Sequence, residues 1–162
     1  RMIGWDEIAQ ADIDPSSVVQ LWNSAENELK ASENGSKIII SPAKKAYLDM
    51  KYDSISEYGL KWAGYTPVDV GYKWDPETYA EGLAKENILG IEAPLWSETI
   101  SNGTELEYLA FPRLIGYAEL GWSPSEHLNW DDYKERLAAQ VPYLEAMQIN
   151  YYPTKLVDWK KE

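Results

Sequence analysis

The chain has 162 residues, 44% of them hydrophobic, and its 15 basic against 27 acidic side chains give a formal net charge of −12. That length and apolar content support a packed core, while the charge repels a phosphate backbone and sets aside nucleic acid and anionic membrane surfaces as partners. The absence of cysteine excludes disulfides and thiolate metal sites, and no apolar run reaches the roughly eighteen residues that a membrane-spanning helix needs.

Eight Trp and twelve Tyr stand beside a single Phe. Indole and phenol rings present a flat apolar face with a polar edge, which suits a sugar ring. Several of them adjoin carboxylates, in Trp5-Asp6-Glu7, Tyr47-Leu48-Asp49 and Trp96-Ser97-Glu98. This composition points to a neutral carbohydrate ligand.

In chain order, residues 2–8 and 17–22 are apolar runs of strand length. Ser24 stands where it can cap a helix through Lys30 and Ala31, and Gly35 where a left-handed cap ends one. Residues 37–41 then read as a strand before Pro42. Residues 50–76 scatter Tyr52, Tyr58, Trp62, Tyr65, Tyr72 and Trp74 among Gly and Pro, the pattern of a long ordered loop, and such loops usually carry function. A short helix is predicted near 76–82 and a fourth strand over 88–96.

The pattern over 104–120 is helical, with Pro112 placed to bend or divide it. Residues 129–149 carry Tyr133, Leu137, Val141, Leu144 and Met147 at helical spacing, with Asp131 and Asp132 at the positive end of the dipole. They predict one packing helix. Trp122, Trp130 and Trp159 read as packing residues, and the end at 159–162 as frayed. The chain reads as a single domain without a linker, and its opening Arg-Met-Ile-Gly-Trp as an interior phrase of a longer protein.

Strand–helix alternation predicts an α/β fold with parallel strands. Four strands are too few to close a barrel, for which roughly 250 residues are typical, so the expectation is a half-barrel or a small open sheet. Ligands of such sheets gather at the carboxyl ends of the strands, where Trp5, Trp22, Tyr47 with Asp49, and Trp96 with Glu98 are expected. Asp49 and Glu98 each follow an aromatic residue by two, so an extended backbone would turn each pair to one face.

No metal or cofactor is expected. His127 has no partner at ligand spacing, and neither a dense oxygen loop, a G-x-S-x-G elbow nor a phosphate-binding glycine loop occurs. Asp6, Glu7, Asp49, Glu92 and Glu98 would admit a paired-acid glycosidase, although most carboxylates of so acidic a chain are solvated.

At Met2-Ile3-Gly4-Trp5-Asp6-Glu7-Ile8, Val18-Val19-Gln20-Leu21-Trp22, Ala46-Tyr47-Leu48-Asp49-Met50-Lys51-Tyr52, Gly90-Ile91-Glu92-Ala93-Pro94-Leu95-Trp96-Ser97-Glu98 and Phe111-Pro112-Arg113-Leu114, the chain resembles the family 20 glycoside hydrolases, the β-N-acetylhexosaminidases. The likeness is to the carboxyl-terminal half of their (β/α)8 barrel, over residues 1–124, with 125–162 as a closing helix and tail. It implies substrate-assisted retaining hydrolysis, in which the sugar's own acetamido oxygen attacks the anomeric carbon. It also implies that Trp5, Trp22 and Trp96 wall the acetamido pocket and that Tyr47 donates to the acetamido oxygen. Asp49 and Glu98 would accept from sugar hydroxyls, and Trp62 would touch the sugar's outer edge.

The family's catalytic Asp-Glu, in a His-x-Gly-Gly-Asp-Glu phrase, has no counterpart here, and Asp6-Glu7 stands in a different segment, so the acid role is not carried over to it. The expected partners are amino-sugar glycans or chitooligosaccharides. Alone, the chain is expected to be inactive and to need the amino-terminal half-barrel or self-association. A non-catalytic sugar-binding module and a self-pairing half-barrel are the alternatives.

Overall fold

Four short strands carry the first part of the molecule: β1 (Ile3–Trp5), β2 (Val18–Leu21), β3 (Lys37–Ile40) and β4 (Ile88–Ile91). They pair in parallel in the order β1-β2-β3-β4, with Ile3 opposite Val18, Val19 opposite Ile38 and Ile40 opposite Ile91. The structure is a computed structural model that describes residues 1–159. The chain divides into two units, Arg1–Ala43 with Trp74–Glu92 and Lys44–Lys73 with Ala93–Glu162, and the whole sheet lies in the first.

The crossover from β2 to β3 is helix α1 (Ala25–Glu33). The Ser24 hydroxyl accepts from the Asn27 N–H, and Gly35 at φ +90° ends the helix while Gly35 and Ser36 donate to the Ser32 and Ala31 carbonyls. Both caps satisfy backbone groups that a helix end leaves open. Val19, Leu21, Ile38 and Ile40 turn to one face of the sheet and pack with Ala9, Ala31, Ala80 and Leu83. β2 is buried along its whole length, as its apolar run predicts, whereas β3 alternates buried with half-buried residues.

Three expectations for this unit are corrected. β1 ends at Trp5 instead of continuing to residue 8, because Asp6–Gln10 coils into a 3-10 turn that folds Ile8 back over Gly4. A Cβ on Gly4 would meet the Ile8 side chain at 2.8 Å, so a larger residue there would force Ile8 to shift. Residues 76–78 form turns instead of a helix, held by the Asp75 carboxylate accepting from the Glu77 N–H. β4 stops at Ile91; Glu92 still donates to Ile40, but Pro94 has no N–H to extend the ladder.

In the second unit, α2 (Ala43–Ala46, its first residue in the first unit) leads into the long loop, which contains the one-turn helix α3 (Val68–Tyr72). Then come α4 (Gly103–Ala110), α5 (Arg113–Trp122), α6 (Trp130–Ala138) and α7 (Val141–Ala146). α4 and α5 part at Phe111-Pro112, as the proline predicts. The single helix predicted over 129–149 is instead α6 and α7, because Pro142 in the first turn of α7 cannot donate back to the preceding turn. Tyr133, Leu137, Val141 and Leu144 are buried, but Met147 is 63% exposed.

Trp122 is likewise no packing residue: its indole is 90% exposed. Trp130 does pack, against the rings of Tyr72 and Tyr133 with Lys73 over its face. Trp159 donates its indole N–H to Thr154 O at 2.8 Å. Residues 160–162 of the expected frayed end lie outside the described residues.

The loop is ordered by backbone bonds, Leu60 N–H to Asp49 O at 2.8 Å, Lys51 N–H to Leu60 O at 2.7 Å and Thr66 N–H to Lys51 O at 2.9 Å. It is ordered above all by Arg113, which is 2% exposed. Its guanidinium donates to the carbonyls of Leu48, Met50, Thr66 and Leu109 and lies 3.8 Å from the centre of the Tyr52 ring. Carbonyls of loop backbone, which would otherwise lack donors away from water, are thereby satisfied.

Replacing Arg113 by Met keeps the methylene packing but strands these acceptors. Urea unfolding of R113M is expected to show a loss of at least ~3 kcal/mol; a loss below ~1 kcal/mol would remove the brace from the account.

Candidate active site

Within the first unit, Trp5 is the last residue of β1 and Trp22 directly follows β2. Both are half-buried. The Asp6 carboxylate, 1% exposed, accepts from the backbone N–H groups of Trp22, Asn23 and Ser24 and from the Asn27 side-chain amide. Glu7 accepts the Trp22 indole N–H on both oxygens, at 3.1 and 3.2 Å.

Tyr47, Asp49, Trp62, Trp96 and Glu98 belong to the second unit. Tyr47 is buried, with its ring centre 5.9 Å from that of Trp62 in an edge-on arrangement and 6.2 Å from that of Trp96. Trp62 and Trp96 are 57% and 40% exposed, so this aromatic group shows wide apolar faces to solvent. Glu98 is exposed.

The expectation that strand alternation turns Tyr47 with Asp49, and Trp96 with Glu98, to one face does not hold. β3 ends at Ile40 and β4 at Ile91, so neither pair lies on a strand. Tyr47 and Asp49 follow α2 in a turn, and Trp96 and Glu98 lie in irregular chain. The two segments are brought alongside by a backbone bond from Leu48 N–H to Pro94 O at 2.8 Å.

Asp49 is the electrostatic oddity of the site. It is 1% exposed, and neither carboxylate oxygen has a hydrogen-bond partner among the described residues. Burial pushes its pKa up from the ordinary 3.8. The backbone N–H groups of Asp49 and Trp96 pull it down without closing a hydrogen bond of good geometry, the Glu98 charge raises it, and the Arg113 charge lowers it. A buried carboxylate without donors is costly, and the arrangement suits a ligand that brings its own hydroxyl donors.

Two supports of the site have no local signal in the sequence. Arg113 binds the carbonyls of Leu48 and Met50, the residues on either side of Asp49. Gly59 sits at φ +106°, where a Cβ would meet Asp49 O at 2.8 Å. The first could have been suspected from a lone Arg in the apolar helix Arg-Leu-Ile-Gly-Tyr-Ala; the second is one glycine among ten.

His127 is exposed in a 3-10 turn, Ser125–His127. Among the described residues no group of three or more His, Cys, Asp or Glu is arranged to hold a metal ion, and no helix is long and apolar enough to cross a membrane.

Since the folded state raises the Asp49 pKa, it binds more protons than the unfolded chain between pH 3.8 and the raised value, and stability falls with rising pH in that window. Asp49→Asn removes the titration. The stability of D49N relative to the parent protein, followed by urea unfolding from pH 3.5 to 8, is expected to climb with pH and then level; a pH-independent difference would refute the burial argument.

Comparison with known proteins identifies the family. Residues 1–125 match the model for "Glycosyl hydrolase family 20, catalytic domain". A Beta-N-acetylhexosaminidase of Cellulomonas fimi is 34% identical over 162 residues, covering 98% of this chain and 33% of the relative. The GH20 beta-N-acetylhexosaminidase from Streptomyces coelicolor A3(2) superposes with a TM-score of 0.94 at 45% identity, again over 98% of this chain and 33% of that one. A mutant Streptomyces plicatus beta-hexosaminidase in complex with product (GlcNAc) gives 0.92 at 45% identity and the same coverage. The chain thus spans about a third of the length of these relatives. With four parallel strands and helices that match part of the family's catalytic barrel, it belongs to glycosyl hydrolase family 20.

Proposed function

We propose that this chain supplies the sugar-holding part of an exo-acting β-N-acetylhexosaminidase that removes terminal GlcNAc or GalNAc from glycans or chitooligosaccharides. The observation that carries the reading is Asp49: a buried carboxylate with both oxygens lacking hydrogen-bond partners among the described residues, two positions from a Tyr47 ring that neighbours both Trp62 and Trp96. A sugar supplies what this arrangement lacks, hydroxyl donors for the carboxylate and an apolar ring face for the indoles.

In the proposed reaction the 2-acetamido carbonyl oxygen forms a bond to the anomeric carbon as the bond to the aglycone oxygen breaks. The aglycone leaves with a proton from a general acid, and water opens the resulting oxazolinium ring to give the retained product. Trp5, Trp22 and Trp96 are given the grip on the acetamido methyl, which turns a freely rotating neighbour into a placed nucleophile. Tyr47 donates its hydroxyl to the acetamido oxygen and stabilises charge as the ring closes. Asp49 and Glu98 accept from sugar hydroxyls, and Trp62 covers the outer edge.

None of these residues is assigned the acid. Asp6 is occupied by four donors and Glu7 by the Trp22 indole, so neither is given a proton-donating role, and the isolated chain is not expected to turn over substrate.

In the full-length protein, Tyr47→Phe deletes one oriented donor and is expected to lower kcat on a chromogenic N-acetylglucosaminide by about 10²–10³-fold with little change in the melting temperature. An unchanged kcat would overturn the role. Sugar hydroxyls donating to Asp49 would favour its ionised form, so GlcNAc binding should release a proton at pH values between the bound and free pKa. Calorimetry in buffers of different ionisation heat is expected to detect that release in the parent protein and not in Asp49→Asn; equal proton counts in both would argue against sugar contact at Asp49.

A further inference from the structure

The Asp6-Glu7 pair has two structural partnerships, and both concern Trp22. Asp6 Oδ2 lies 3.4, 3.0 and 2.8 Å from the backbone nitrogens of Trp22, Asn23 and Ser24, and Oδ1 takes the Asn27 side-chain amide at 3.1 Å. These bonds fix the turn from which the Trp22 side chain departs. They do not fix the side chain itself, which rotates about two further bonds. That remaining freedom is addressed by Glu7, whose two oxygens both face the indole N–H, at 3.1 and 3.2 Å.

The sequence order explains how one short turn does both jobs. The backbone leaves β1 at Trp5 and coils at once into the 3-10 turn, which puts Asp6 inward, 1% exposed, and Glu7 outward. Glu7 therefore reaches the indole from the solvent side while Asp6 reaches the backbone from within. An exposed carboxylate with no structural task would be expected to point into water; this one is committed to a single N–H.

We propose that Glu7 is a positioning residue for Trp22, locking the indole orientation against a turn that Asp6 already holds. The inference rests on the reading of Trp22 as a wall of the acetamido site. A wall free to rotate would let the acetamido group leave the attack geometry, and small misplacements of a reacting group carry large rate costs. The contact is made by the carboxylate as acceptor, so a side-chain amide can replace it and a methyl cannot.

The test uses full-length protein labelled with ¹⁵N at the indoles, with the Trp22 resonance assigned by its disappearance in Trp22→Phe. In Glu7→Ala the Trp22 N–H resonance is expected to shift upfield, and kcat/KM on a chromogenic N-acetylglucosaminide to fall on the order of 10- to 100-fold at unchanged melting temperature. Glu7→Gln should restore most of both. The double variant with Trp22→Phe should be no slower than Trp22→Phe alone, because Glu7 acts only through that indole. A Trp22 resonance unmoved in Glu7→Ala, or losses that multiply in the double variant, would overturn the proposal. A Trp22→Phe variant with full activity would instead overturn the acetamido role of Trp22, and a shifted resonance would then still uphold Glu7 as the residue that orients it.

Discussion

The second unit is organised around one cation facing backbone carbonyls. Arg113 comes from the first residue of α5 and reaches the carbonyls of residues 48, 50, 66 and 109, three of them far away in sequence. Irregular chain is normally kept at the surface because its polar backbone cannot otherwise be satisfied. Here a side chain rich in donors substitutes for a ladder, and a long connection can bury parts of its course, at residues 46–50, 52 and 66, and still hold a defined shape. Tyr52 completes the arrangement: its ring lies under the guanidinium, its one hydroxyl proton is within reach of the Phe111 carbonyl at 2.8 Å and the Leu109 carbonyl at 3.1 Å, and its other face stacks on Tyr152.

That shape is what makes the unfavourable state of Asp49 tolerable. A carboxylate held without donors would relax toward water if the turn around it could give way. The turn is held from both sides, by Arg113 on the carbonyls of Leu48 and Met50 and by the Leu60 N–H on the carbonyl of Asp49 itself. The strain is therefore stored locally, as is common where a site awaits polar groups from outside. The cost of burying one carboxylate is thus borne by the bonds that its neighbours make.

The regular elements were legible in the sequence because their signals are local. Short apolar runs located β2 and β3, Ser24 and Gly35 bracketed α1, and Pro112 divided α4 from α5. The misreadings arose where tertiary contacts decided. The run after Trp5 has strand composition, but the inward Asp6 bonds the Trp22 turn and pulls the chain into a coil. The apolar stretch up to Trp96 continues past the last residue that can extend the ladder. The helical spacing across residues 129–149 conceals the break at Pro142. At the candidate site, the choice of Tyr47, Asp49 and Trp96 came with an argument from strand alternation that the backbone does not follow. Their nearness comes from irregular segments crossing, which no periodicity records.

Gly59 extends this logic beyond the residues that would meet a sugar. Its left-handed backbone and the 2.8 Å separation of an added Cβ from Asp49 O leave no room for another amino acid. The position is thus a silent partner of the Asp49 turn: a substitution there would disturb the buried carboxylate although the glycine itself offers no side chain to it. By contrast Gly64, in the same loop and also left-handed, has open space where a Cβ would stand, so the steric demand of the loop is concentrated where it meets the Asp49 backbone.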